Sequence, residues 1–386
     1  MGKLPLDESR LRQAFAGRRI LLTGHSGFKG GWLALWLRRL GADITAVALP
    51  PIGDGRPSFF DAAGIETLVD HRVADIRDQA GFDAAVADCD PELVVHMAAQ
   101  ALVRQSYAEP VETFATNVTG TAIVLDAARR MPNLRGALIV TSDKCYDNRE
   151  WVWGYREQDR LGGADPYSAS KGCAEIVVDA YRRSFFHGAN SPQIASVRAG
   201  NVFGGGDWSA DRLIPDLIRA ATSNAPVRIR NPASIRPWQH VLEPLAGYLM
   251  LGARILGGDP EAAGAWNFGP DADAVVDVET LVATFRRHWG PDLDIIFDQR
   301  NQHPPEAGIL RLDSTKARVA LGWRPRLSLD LALDLTAGWY RAFYAGSADM
   351  RAFSEAQIAR YLSAAGDTLL SKTGLNKQVE TASSCG

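Results

Sequence analysis

The chain is poor in cysteine. Cys89, Cys145, Cys173 and Cys385 are its whole complement, and their spacing suits neither a metal cluster nor a disulfide framework. No metal is therefore expected, and a reduced, cytoplasmic compartment is. Long apolar runs are missing too: Ile20-Leu-Leu22 and Leu93-Val-Val95 are far too short to cross a bilayer, so no membrane partner is expected. The opening Met1-Gly-Lys-Leu-Pro-Leu-Asp-Glu-Ser9 has no signal core, and Asp7 and Glu8 spoil Met1-Gly2 as a lipidation start. Neither charge dominates. With 42 Lys and Arg against 45 Asp and Glu, the net charge of -3 speaks against a binder of nucleic acid or anionic lipid. No internal repeat or low-complexity tract appears.

What is there is a chain of 386 residues, 46% hydrophobic, enough for one large domain or two smaller ones. From Arg19 onward, short β-branched runs alternate with helical patterns. The runs at 20–23, 44–47, 93–96, 137–141 and 194–197 read as buried strands, and 31–40, 111–130 and 166–186 as helices. That alternation predicts an α/β fold: a Rossmann-like doubly wound parallel sheet. After Gly204-Gly-Gly206 helices shorten, and proline and arginine become more frequent. A smaller, discontinuous mixed α/β substrate domain is expected there, over the sheet edge where such folds bind ligands. The expected division is a flexible leader over 1–17, a nucleotide-binding domain over 18–203 with a strand and helix returning from about 240–262, a substrate domain over most of 204–365, and a disordered tail over 366–386.

Thr23-Gly-His-Ser-Gly-Phe-Lys-Gly30 follows the first strand and opens the first helix. Its Gly24-x-x-Gly27-x-x-Gly30 spacing is a variant of the dinucleotide fingerprint, whose glycines let backbone N–H groups approach a pyrophosphate. His25, Phe28 and Lys29 join the glycines as candidate cofactor contacts. The end of the second strand, Val47-Ala-Leu-Pro-Pro51, carries no acid to hold a ribose, so the loop leaves NAD and NADP open. Asp75, beside Ile76 after the third strand, is either an adenine-edge contact or a helix N-cap.

Further segments end strands on the same edge: His96-Met-Ala-Ala-Gln100, Thr141-Ser-Asp-Lys-Cys-Tyr146 and Arg198-Ala-Gly-Asn201. Ala98, Ala99 and Gln100 are candidate cofactor contacts. Asn117, within Thr116-Asn-Val-Thr-Gly120, is either a polar group facing the site or a buried amide satisfied by backbone. Tyr167 and Lys171 stand four residues apart on a predicted helix, one turn above the other. A nearby ammonium should lower the phenol's pKa and fit it to take a hydroxyl proton. The adjacent Asp143-Lys144 reads as a surface ion pair in isolation, and as an acid–base pair at the ligand edge.

The glycine loop, Thr141-Ser-Asp-Lys144, Tyr167-x-x-x-Lys171 and Arg198-Ala-Gly-Asn201 resemble the extended short-chain dehydrogenase/reductase family, which acts on nucleotide sugars. Five motifs narrow the resemblance to its CDP-glucose 4,6-dehydratases, from about Arg18 to Ser363. They are Thr23-Gly-His-Ser-Gly-Phe-Lys-Gly-Gly-Trp32, Ser142-Asp-Lys-Cys-Tyr-Asp-Asn148, Trp153-Gly-Tyr-Arg-Glu157, Gly204-Gly-Gly-Asp-Trp208 and Arg236-Pro-Trp-Gln-His-Val241.

The resemblance implies NAD as a recycled cofactor and a CDP-hexose as substrate. Tyr167 would take the O4 proton as C4 is oxidised, water would leave across C5 and C6, and hydride would return to C6. Ser142 would offer its hydroxyl to the 4-oxygen. Asp143, kept protonated by burial, would protonate the leaving hydroxyl. Lys144 would either take the C5 proton, which needs a pKa well below ~10.4, or stabilise the enolate as a cation. Asn201, Arg212 and Arg236 match substrate-binding positions, arginine forks suiting a diphosphate, and Trp208 is a candidate pocket wall. Glu306-Ala-Gly-Ile-Leu310 departs from the family, where His-Tyr follows Glu-Ala; Gly308 and Ile309 stand there instead. A homodimer or dimer of dimers is implied, packed through the helices at 111–130 and 166–186. The alternatives are a dehydratase or epimerase of another nucleotide sugar, and a non-catalytic NAD-binding protein.

Overall fold

The structure, a computed structural model, describes residues 7–364 apart from 52, 54, 189, 230, 272, 273, 291, 292, 298–308 and 347. The strands are β1 (Arg19–Thr23), β2 (Asp43–Ala48), β3 (Asp70–Val73), β4 (Leu93–His96), β5 (Gly136–Val140), β6 (Gln193–Ala199), β7 (Asn201–Phe203), β8 (Val227–Ile229), β9 (Ile235–His240), β10 (Gly264–Phe268), β11 (Val275–Asp277) and β12 (Ile295–Phe297). Seven of them form one parallel sheet in the order β10-β6-β5-β4-β1-β2-β3. The order reverses between β1 and β4, so the turns after these two strands open on one crevice. Thr23 is in register with both Val47 and His96, which brings the three strand ends level.

The apolar runs explain the burial. Every residue of β4 is buried, as expected for a strand covered by helices on both faces. On one side the helix Phe28–Arg39 inserts Trp32 and Trp36, both fully buried. On the other side lie the helices Gly120–Ala128 and Pro166–Phe185. Pro166 occupies the first turn of its helix, and Asp165 caps it by accepting the Ser168 N–H at 2.9 Å.

The smaller unit combines the sheets β11-β9-β7 and β12-β8 with the helices Leu213–Ser223 and Val278–Trp289. Four expectations need correction. The leader is not wholly outside the core: Glu8–Phe15 is a helix capped by Asp7, and Phe15 buries its ring against Gly252. The returning strand lies beyond 262, because β10 at Gly264–Phe268 forms the sheet's edge beside β6. The helix expected over 111–130 begins at Pro110, ends at Ala128 and is widened by a π turn at Ala115–Thr119. The last helices are not confined to the smaller unit: Leu329–Ala345 and Met350–Ser363 clasp the nucleotide-binding half, with the Trp339 ring centre 6.0 Å from that of Phe59 and Arg351 donating to the carbonyls of Ala63 and Gly64. The expected tail, 366–386, lies outside the described residues. Among the described residues, no helix is long and apolar enough to cross a membrane.

Candidate active site

A cleft of about 1090 Å³ runs along the C-terminal edge of the large sheet, between it and the smaller unit. The glycine loop forms one end. Gly24 has φ of 81°, and a Cβ there would lie 2.5 Å from the Ala98 nitrogen. A Cβ on Gly30 would meet the Gly24 carbonyl at 2.1 Å. The helix that follows is capped by Gly27 without a side-chain acceptor, so its first N–H groups are left to an incoming anion. A flat cradle with unpaired donors at a helix start fits a dinucleotide pyrophosphate.

The loop after β4 is pinned to this cradle by a directed chain of hydrogen bonds. Thr23 Oγ1 accepts the N–H groups of Met97 and Ala98, so its own proton goes to His96 Nδ1 at 2.7 Å. His96 then donates through Nε2 to Thr121 Oγ1, which donates to the Asn117 carbonyl. Burial keeps His96 neutral, its pKa lowered to about 3. Ala98, Ala99, Gln100, Asp75 and Ile76 line the cleft with the glycines, Phe28 and Lys29. Asp75 does not cap a helix: its Oδ1 accepts the Arg77 N–H, its carboxylate pairs with the Arg77 side chain, and Asp78 takes the N-cap position.

Ser142, Asp143, Lys144, Tyr167 and Lys171 meet in the middle of the cleft. Residues 143–145 form a single 3-10 turn after β5. Ser142 Oγ accepts the Lys144 N–H at 3.2 Å and donates to Asp143 Oδ1 at 3.0 Å. The second oxygen, Asp143 Oδ2, is buried with no hydrogen-bond partner. Burial raises the Asp143 pKa, opposed first by Lys144 and then by the Ser142 hydroxyl and Arg236.

The expected lowering of the Tyr167 pKa does not hold for the free protein. The phenol is 8% exposed, and burial pushes it up to about 12 against the pull of the Ser142 hydroxyl and Arg212. Lys171 is itself lowered to about 8 by burial, with Glu175 opposing. A third amine, expected as a cofactor contact, stands in the same cleft. Lys29 donates to Tyr248 Oη at 2.7 Å and lies over that ring, its pKa lowered to about 7 by burial and by Lys171 and Arg212.

On the substrate side Asn201, Arg212 and Arg236 line the cleft. Arg212 bridges Asp207 Oδ2 and the Ala101 carbonyl, both at 3.4 Å, while Arg236 is 7% exposed on β9. Three candidates are not in the lining. Trp208 turns away, donating to Tyr344 Oη at 3.1 Å within a cluster of Trp339, Tyr340 and Phe343. His25 lies beneath the loop, 2.7 Å from His71 Nδ1 and edge-on to Phe60, because the turn at Gly24 points it inward. Asn117 is satisfied within the protein: Oδ1 accepts the Gln100 N–H, and Nδ2 donates to the Gln100 carbonyl and to Ser170 Oγ. It fixes the loop rather than touching the cleft. Of the segment at Gly308 and Ile309, only Ile309 is described, bridging to Ile235.

Sequence reasoning missed what stands behind the turn. Glu175, 4% exposed, accepts from Arg198 at 2.9 and 2.7 Å, and also from Thr141 and Ser196. Arg198, placed by its sequence on the ligand edge, points into this pair instead. The signal was available: Glu175 stands four residues beyond Lys171, on the same helical face.

The chain matches a family model described as GDP-mannose 4,6 dehydratase over residues 21–336. It is 48% identical over 354 residues to the CDP-glucose 4,6-dehydratase of Salmonella typhimurium, covering 90% of this chain and 97% of that one. It is 26% identical over 355 residues to the dTDP-glucose 4,6-dehydratase of Neisseria gonorrhoeae, covering 84% and 95%. Among solved structures, an epimerase from Methanothermobacter thermautotrophicus shares the fold at a TM-score of 0.75 and 20% identity, covering 88% of this chain and 96% of that one. The dTDP-glucose 4,6-dehydratase of Bacillus anthracis, solved with NAD, superposes at 0.68 with 18% identity, covering 84% and 97%.

Proposed function

We propose, from the premise that this chain belongs to the GDP-mannose 4,6-dehydratase family of extended short-chain dehydrogenases/reductases, that it converts CDP-glucose to CDP-4-keto-6-deoxyglucose with NAD as a recycled cofactor. The observation that carries the dehydration is Asp143: a buried carboxyl with one bare oxygen in the cleft wall, next to Lys144 and in the same cleft as Tyr167. An enzyme that only inverts C4 has no use for such an acid. The nucleotide assignment rests on the 48% identity to a CDP-glucose 4,6-dehydratase over 90% of the chain.

The glycines at 24, 27 and 30, the loop 98–100 and the segment 75–76 would hold NAD, which supplies the hydride acceptor at C4 and the hydride donor at C6. The Tyr167 phenol, drawn down from its value in the free protein by the positive charge of bound NAD, takes the proton of the 4-hydroxyl as phenolate, with Ser142 hydrogen-bonded to the same oxygen. Once C4 is a ketone, the C5 proton is acidic, and Lys144 removes it or holds the enolate charge. Asp143 gives its proton to the leaving 6-hydroxyl, a role that its raised pKa favours. Asn201, Arg212 and Arg236 bind the CDP diphosphate.

Two further readings belong to this proposal. Val111 (81% exposed) and Phe114 on the helix Pro110–Phe114 and Ile176 on the helix Pro166–Phe185 are exposed apolar side chains, which supports a homodimer packed through these helices. Free Cys89, Cys145 and Cys173 suit a reducing cytoplasm. The test of function is incubation with CDP-, dTDP- and GDP-hexoses, read by the alkaline absorbance of a 4-keto-6-deoxy sugar. Product from CDP-glucose is expected. Product only from another nucleotide would overturn the CDP assignment, and none at all would overturn the dehydratase.

A further inference from the structure

The acid and the amine of the elimination sit on one short turn, and a turn of three residues cannot fix its own position. Its start is held by β5 and by the Ser142 side chain. Its end passes directly into Tyr146, which is 1% exposed. The Tyr146 hydroxyl accepts from Arg198 Nη1 at 2.7 Å and donates to Asn267 Oδ1 at 2.8 Å. The same guanidinium lies 4.9 Å from the centre of the Tyr146 ring, and the Tyr155 ring stacks on Tyr146 at 5.0 Å.

Each partner is anchored in turn. Arg198 is clamped by Glu175. Asn267 donates to the carbonyls of Tyr155 and Asp313, and its N–H donates to Glu157 Oε1. Tyr155 pairs its backbone with Arg311 and Asp313. The motif Trp153-Gly-Tyr-Arg-Glu157, which no step of the chemistry uses, is therefore a strap that ends on Tyr146. Tyr167 is held at the start of its helix by Ser106 Oγ on its N–H and by the Asp165 cap, contacts that do not involve Tyr146, while Glu175 lies two turns further along the same helix.

We propose that Tyr146 is a positioning residue for the elimination, fixing the Asp143–Lys144 turn through Arg198, Asn267 and the Tyr155 stack while leaving the oxidation step to Tyr167, whose end of its helix is fixed by contacts that do not include Tyr146. The proposal rests on the dehydratase reading and deepens it. It separates two half-reactions that a merely structural tyrosine would affect together.

Tyr146→Phe keeps the ring and its stack and removes only the hydroxyl. Misplacing a reacting group by about 1 Å costs on the order of 100-fold, so elimination should slow by about 10- to 100-fold while C4 oxidation stays within about twofold. In single-turnover experiments with the NAD-loaded protein and CDP-glucose, the near-ultraviolet absorbance of reduced nicotinamide should build up and decay slowly. Incorporation of solvent deuterium at C5 should slow with it. If Tyr146→Phe fails to fold, Tyr155→Leu, which removes the stack and leaves the hydroxyl bonds, should shift the partition the same way. Equal loss of both steps, or no change in either, overturns the role of Tyr146. If the unmodified chain forms product normally while the variants do not shift the partition, only the positioning role fails. If the unmodified chain forms no product, the dehydratase reading fails and takes this role with it.

Discussion

A carboxyl that must surrender a proton near neutral pH has to hold it more tightly than a free one, and burial raises the pKa of Asp143 despite the adjacent Lys144. Asp143→Asn keeps the shape and removes the transferable proton. Elimination should fall by roughly 100-fold or more, within the usual range for a general acid, while C4 oxidation persists, as rapid-quench analysis of the 4-keto-hexose intermediate would show. Tyr167→Phe should instead abolish oxidation and leave NAD binding within about twofold by titration calorimetry; joint loss of both would mean that another group is the base. At this scale the sequence was readable where chemistry demands adjacency or helical spacing, as for Asp143-Lys144 and Tyr167–Lys171. It was not readable where the question was which way a side chain points. Trp208, His25 and Asn117 lie on the right segments, but a turn at Gly24 and a π turn around Asn117 rotate two of them into the protein, and aromatic partners hold the third.

The elements were legible through their apolar periodicity: the five strands expected at 20–23, 44–47, 93–96, 137–141 and 194–197 lie within a residue or two of expectation, whereas β3, with no fully buried residue, was expected without bounds and β10 lies just beyond the place expected for the returning strand. What periodicity cannot show is how the last helices are fastened. Glu243, 2% exposed on the helix Leu242–Leu256, accepts the N–H groups of Arg326 and Leu327 at 2.8 and 2.7 Å, and the Tyr361 hydroxyl at 2.8 Å. Burial raises its pKa to about 7 despite these donors. A carboxyl raised in the folded state contributes stability that is fully present below its unfolded pKa and is lost as pH rises through about 7. The shift from 4.5 to about 7 corresponds to on the order of 3 kcal/mol. Glu243→Gln does not titrate, so its stability relative to the unmodified chain should improve as pH rises from about 5 to about 7 and level off above that. Thermal melts of both proteins across that range check it, and a constant difference would show that Glu243 titrates normally.

At the scale of the molecule, the two units are interleaved along the chain. The sequence located the change of texture near Gly204 and expected a strand and a helix to return from about 240–262, placing the strand slightly early, yet it could not reveal that residues 329–363 clasp the first half, since such a contact depends on long-range packing. One whole-molecule consequence follows from the outer helices. Pro166–Phe185 carries Tyr167 and Lys171 on its buried face and Ile176, 58% exposed, on the other. An exposed aliphatic side chain of that size, with Val111 and Phe114 also exposed on the neighbouring helix, is a poor surface for a monomer and a good centre for a symmetric contact, where a residue meets the same patch on a second copy. If the dimer packs there, Ile176→Glu places two charges in its middle and should weaken association by about 30-fold, ~2 kcal/mol, measured by sedimentation velocity over a dilution series. Because the same helix presents the base to the cleft, the monomer formed on dilution should also lose turnover, whereas at concentrations high enough to restore the dimer the variant should work normally. Association unchanged by the substitution would place the interface elsewhere.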